Sequence, residues 1–176
     1  MDDHIILEEE AIAEEQAIEK LGTAITRLPI RALPTLKEPV CVKPTTTVLG
    51  AIEVMNQHRT GCVLVEERQM LTGVFTERDV LTKLATCNAN LETTLVADVM
   101  TSDPECLTLD DGIAYALNKM SVGGFRHVPL IDDEGRPTGL VSMRNIVDFI
   151  VDLFPREVLN LPPSPAHSIA RQREGA

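Results

Sequence analysis

Nothing in the chain approaches the ~20 consecutive apolar residues that a membrane-spanning helix needs, and no basic start leads into an apolar stretch. Neither membrane insertion nor a secretory leader is therefore expected. The four cysteines, Cys41, Cys62, Cys87 and Cys106, have no C-x-x-C pairing, and the four histidines are scattered away from them. They read as small core hydrophobes rather than as a zinc or redox set. Positive charge is also short: 16 Lys and Arg stand against 27 Asp and Glu, a formal charge of −11. That balance speaks against a nucleic-acid partner, whose phosphates require a basic surface. A soluble, cytoplasmic protein is the expectation. The acidity is uneven, because residues 1–20 hold eight acids and one lysine. An anionic ligand can still meet a locally basic pocket in the body of the chain.

What is present is a repeat. Among 176 residues that are 44% hydrophobic, a shift of 65 places Pro39 on Pro104, Cys41 on Cys106, Ala51 on Ala116, Met55 on Met120 and Val63 on Val128. One extra residue in the later turn then places Gly73 on Gly139. Each copy reads as a short extended piece (40–42; 105–108) and an amphipathic helix (48–58; 112–120) begun by Thr46 or by Asp110 and Asp111. Glycines follow, Gly61 in one copy and Gly123 with Gly124 in the other, and end each helix. A hairpin comes next, its strands at 62–65 and 71–75 or at 127–131 and 138–141, and then a last helix, 77–84 or 143–153. A unit of about 60 residues buries only one face of its small sheet, so the two copies need each other.

The expected organisation is an acidic N-terminal helix with its connection (1–34), a first repeat (35–92), a second repeat (93–154) and a Pro-rich extended tail (155–176). The polar stretch 86–94 serves as linker. From the helix expected over 3–27, Leu7, Ala11, Ile18, Leu21, Ile25 and Leu28 make one apolar face, which packs either on its own domain or across a dimer.

Chemistry gathers at Gly73-Val74-Phe75-Thr76-Glu77-Arg78-Asp79 and at Gly139-Leu140-Val141-Ser142-Met143-Arg144-Asn145. In each, a strand ends at a hydroxyl residue that can cap the following helix, whose unpaired N–H groups suit a phosphate. Three residues on, Asp79 or Asn145 can accept hydrogen bonds from a sugar diol, and Arg78 and Arg144 add cationic contacts. The same spacing is also that of a capping box, in which hydroxyl and carboxylate only satisfy the helix start. Both readings stay open for each copy.

With Arg126-His127-Val128-Pro129-Leu130 in the preceding strand, these motifs resemble a tandem CBS (cystathionine beta-synthase) domain pair, or Bateman module, over about residues 35–154. The resemblance implies an α+β fold with α/β-like character: two small β-α-β-β-α repeats packed pseudo-symmetrically, plus the N-terminal helix. It implies a non-catalytic regulatory module that binds AMP, ADP, ATP or a related adenosyl ligand between the repeats, with no obligatory cofactor. Whether a divalent cation accompanies the phosphates stays open. Carried over, Thr76 and Ser142 face phosphate, Asp79 and Asn145 hold ribose, and Cys62, Val63, Leu64, Val128 and Pro129 contact adenine. Arg126 and His127 sit within reach of phosphate. A homodimer and an unidentified protein partner are also implied. Asn145 departs from the family's Asp, so the Thr76 site is expected to bind more tightly. The alternative is an interaction or scaffold protein that keeps this fold with degenerate sites.

Overall fold

The computed structural model describes residues 27–85 and 89–153. The acidic helix expected over 3–27, apart from Arg27, and the Pro-rich tail lie outside the described residues, as does Cys87.

Helix α1 (Val48–His58) starts at Thr47, whose hydroxyl accepts from the Gly50 N–H at 3.1 Å. Thr46 instead accepts from the Lys43 N–H, so the expected cap is displaced by one residue. Arg59, in the left-handed region at φ 50°, ends this helix before Gly61 is reached. Helix α4 (Ile113–Gly123) starts at Gly112, which has no side chain to cap with, and the Asp111 carboxylate expected there is turned back onto the Thr108 N–H and hydroxyl. Gly124, at φ 67°, closes it as expected.

Strand β1 (Cys41–Val42) runs parallel to β2 (Cys62–Glu67), which forms a hairpin with β3 (Met70–Thr76). Arg68 and Gln69, both at positive φ, make the two-residue turn. The second hairpin joins β5 (His127–Ile131) to β6 (Pro137–Ser142). The two hairpins shift register at equivalent places, Val65/Glu66 and Leu130/Ile131. In the first repeat the last helix is not uniform. α2 (Glu77–Asp79) passes directly into a wider π turn (Val80–Leu84), where the Ala85 N–H reaches back five residues to the Val80 carbonyl. Its counterpart α5 (Met143–Leu153) is regular.

Besides a 3-10 turn at Ile30–Ala32, a short helix α3 (Val96–Val99) and strand β4 (Thr101–Ser102) were not anticipated. Although they precede the second hairpin, they serve the first sheet. β4 pairs with β3, placing Gly73 opposite Ser102, and Val96 is buried among Val42, Val48, Phe75 and Leu84. The converse holds for residues 28–37. Ile30 and Leu33 are buried among Ile113, Met120, Val128 and Ile146, while Lys37 bridges to Leu140 on the edge of β6. Backbone bonds fix the exchange: the Ile113 N–H donates to Leu28 and the Ile30 N–H to Asp111, as the Val48 N–H donates to Thr94. Each sheet therefore receives its edge from the segment that leads into the other repeat. Within the cores the repeat is faithful, for Ala51 and Ala116, Met55 and Met120, and Val63 and Val128 are all buried at equivalent positions.

Candidate functional site

Strands β3 and β6 each end on a hydroxyl that starts a helix, and both helix starts are capping boxes. The Thr76 N–H and hydroxyl donate to Asp79 Oδ2 at 2.9 and 2.7 Å. The Ser142 N–H and hydroxyl donate to Asn145 Oδ1 at 2.8 and 2.7 Å. Asparagine supplies the same acceptor as aspartate here, so its arrival in the second copy leaves the cap intact.

The copies differ in what the other terminal atom does. Asp79, 7% exposed, pairs through Oδ1 with Lys83 at 2.7 Å. The Lys83 ammonium also donates to the Val99 carbonyl at 2.7 Å and approaches the Thr101 hydroxyl at 3.5 Å. Asn145 needs no such bridge, because its Nδ2 donates directly to the carbonyl and hydroxyl of Thr35, at 3.0 and 3.1 Å. Thr35 and Thr101 both belong to the edge segments. One Asp79 oxygen is thus taken up by the cap and the other is shared with Lys83.

Each motif opens onto a cleft. The first, about 360 Å³, joins Thr76, Arg78 and Asp79 to Arg126, His127 and Pro129 of the second repeat. The second, about 1030 Å³, joins Ser142, Arg144 and Asn145 to Gly61 and Cys62 of the first. Gly61, Cys62, Glu77, Arg126 and His127 line both and form the wall between them. The side chains of Val63, Leu64 and Val128 line neither; all three are completely buried. Period-two alternation gives a strand no way to present three successive side chains to one cleft. Sequence reasoning also passed over the edge segments, which contribute Thr101, Asp103 and Glu105 to the first cleft and Thr35, Lys37 and Glu38 to the second. The matched pairs Pro39/Pro104 and Cys41/Cys106 were the signal that these segments are equivalent.

Two members of the shared wall, His127 and Cys62, carry no charge. Burial and the neighbouring Arg126 hold His127 below its ordinary value, against a smaller pull from Glu77, so its imidazole is uncharged at neutral pH. Burial, with a lesser contribution from Asp79, pushes the Cys62 thiol up to about 12, which makes it an apolar surface rather than a nucleophile. The Arg78 guanidinium donates to the Gly124 carbonyl and so ties the first motif to the end of α4. Among the described residues no group of three or more His, Cys, Asp or Glu is placed to hold a metal ion, and no helix is long and apolar enough to cross a membrane.

Comparison with known proteins agrees with this geometry. The CBS domain family model matches twice, over residues 30–86 and 96–152, so each match begins at an exchanged segment. A CBS domain-containing protein of Arabidopsis thaliana is 32% identical over 112 residues, 64% of this chain and 20% of that protein; the chain thus spans about a fifth of that relative. A CBS domain protein from Pyrobaculum aerophilum, solved in complex with AMP, superposes with a TM-score of 0.64 at 22% identity, over 73% of this chain and 99% of that one. A CBS domain pair solved with 5′-methylthioadenosine and S-adenosyl-L-methionine gives 0.63 at 21% identity, over 70% and 99%.

Proposed function

Since this chain belongs to the CBS domain family and carries the domain twice, we propose that it is a non-catalytic regulatory module that binds adenine nucleotides in the clefts between its repeats. One observation carries the reading: each cleft joins the hydroxyl-led helix start of one repeat to the first hairpin strand of the other. A ligand spanning that seam holds the repeats in one relative position, which is what a sensor needs. Adenosyl ligands in the related structures support the ligand class.

The protein then acts in the cytoplasm as a homodimer that presents its ligand state to a protein partner. Leu81 and Val122, 69% and 81% exposed, are apolar groups that a second copy would cover.

A scaffold with degenerate sites is the second reading, and the capping boxes favour it, since Asp79 and Asn145 already have work within the fold. A thermal-shift panel of AMP, ADP, ATP, NADH and S-adenosylmethionine separates the two. Ligand at a hundred times its dissociation constant adds about 2.7 kcal/mol, and each kcal/mol raises the melting point by roughly 2–4 °C. No shift with any of the five establishes the scaffold reading.

A further inference from the structure

The two clefts carry opposite charge. Facing the first are Arg78 and Arg126 against Glu77, Asp79, Asp103 and Glu105. The Arg78 guanidinium is engaged with Gly124, while Lys83 and Lys119 outside the cleft only offset Asp79 and Glu105. Facing the second are Lys37, Arg59, Arg126 and Arg144 against Glu38, Glu77 and Asp148. Among the described residues no carboxylate pairs with Lys37, Arg59 or Arg126, and Arg144 meets Asp148 only at 3.6 Å. Cations left uncommitted beside a large cleft are what a polyphosphate requires, because its charge is repaid by several N–H donors at once.

The ribose-binding capacity is divided the other way. Asn145 is saturated, since its oxygen accepts twice and its amide donates twice. Asp79, which lines the first cleft, accepts from Lys83 through Oδ1, and a carboxylate oxygen has room for a further donor.

We infer that the clefts sort adenosyl ligands by charge: the second cleft takes a polyphosphorylated nucleotide, and the first takes an adenosyl ligand without phosphates. This rests on the proposed function and deepens it. For anionic ligands it reverses the ranking expected from Asp79 and Asn145 alone.

Calorimetric titration of the full chain tests it with ATP and adenosine as probes. ATP should bind adenosine-saturated protein with its affinity unchanged, because the two occupy different clefts. Lys37→Gln and Arg59→Asn should each weaken ATP about tenfold and leave adenosine unmoved; asparagine retains the left-handed conformation at position 59. Raising salt should weaken ATP alone. Melting points of the variants within a degree or two of the wild type confirm that the fold is kept, and Asp103→Asn supplies an independent arm by letting ATP into the first cleft as a second binding event. Competition between adenosine and ATP overturns the inference, as does an ATP affinity indifferent to both cation variants, while leaving nucleotide binding itself standing. Failure of the wild type to bind either probe instead brings down the functional reading.

Discussion

Replacing Asn145 with aspartate, the residue that the first repeat uses, should destabilise the protein. The capping half of the side chain tolerates the change, for Asp79 Oδ2 performs it at 2.7–2.9 Å in the first repeat. The other half does not. Where Nδ2 now donates to the Thr35 carbonyl at 3.0 Å and hydroxyl at 3.1 Å, a carboxylate presents an acceptor. The hydroxyl can rotate and donate, which recovers one contact; the carbonyl is left facing a charged oxygen in a half-buried site. A lost hydrogen bond with an opposed acceptor costs about 2 kcal/mol, or roughly 4–8 °C of melting temperature in a chain of this size. The loss should depend on pH with a definite sign. Once protonated, the new carboxyl can donate to Thr35 again, so its proton affinity is higher in the folded state than in the unfolded state, where a carboxyl titrates near about 3.9. The recovered stability is then complete below that value and disappears as pH rises through the raised one. Denaturation of wild type and variant at pH 4.5 and 7.5 measures this as a difference between differences. A variant as stable as the wild type at pH 7.5, or one whose deficit is the same at both pH values, refutes the reasoning.

The two motif glycines should differ in tolerance. A Cβ at Gly73 would lie 2.5 Å from Met100 Sδ and 3.0 Å from the Thr101 carbonyl oxygen, whereas at Gly139 its nearest neighbour is the end of Leu130 at 3.2 Å and the Lys37 carbonyl oxygen is 3.7 Å away. Gly73→Ala should therefore cost about 1–3 kcal/mol and Gly139→Ala less than about 1, as read by urea denaturation. The exchanged segments predict a sharp boundary in N-terminal truncation. Removing residues 1–26 leaves Ile30 and Leu33 in the second core, while removing 1–36 empties sites worth about 2–5 kcal/mol each and should abolish cooperative thermal unfolding by circular dichroism; equal melting points would exclude the exchange.

Much of the architecture was open to reading from periodicity, because side-chain burial recurs at one offset. Ala51 and Ala116, or Met55 and Met120, are buried at equivalent places since each repeat packs the same helix face on the same sheet. The hairpins and the helix at Val48–His58 follow from the same local pattern. The edges do not, for a two-residue strand such as Thr101–Ser102 has no period of its own, and the choice of sheet rests on backbone pairing across the molecule. Missing the edges meant missing part of the lining of each cleft. The capping alternative was likewise present in the spacing, but the partners that complete it were not: Thr35 meets Asn145 from 110 residues away.

That distant partner explains why one repeat uses Asp and the other Asn. In the first repeat the link from helix start to edge segment is a carboxylate followed by an ammonium, Asp79 to Lys83, which reaches Val99 and approaches Thr101. The position equivalent to Lys83 is Phe149, packed against the second core. With no cation at that position, a carboxylate at 145 has nothing to bridge it to Thr35, and an amide, carrying acceptor and donor in one group, makes the whole link. The pairs Asp79 with Lys83 and Asn145 with Phe149 are thus alternative solutions to one problem, and exchanging single members should fail where exchanging both succeeds. Phe149→Lys alone loses core packing, and Asn145→Asp alone loses the Thr35 contact. Combined, they should show a favourable coupling of about 1–2 kcal/mol in a double-mutant cycle, as contacting residues do. The cycle is read from denaturant midpoints at pH 7.5, where the carboxylate is ionised. Strict additivity of the two losses would mean that a cation at position 149 does not bridge a carboxylate at 145 to the edge segment, and would refute the pairing of the two positions.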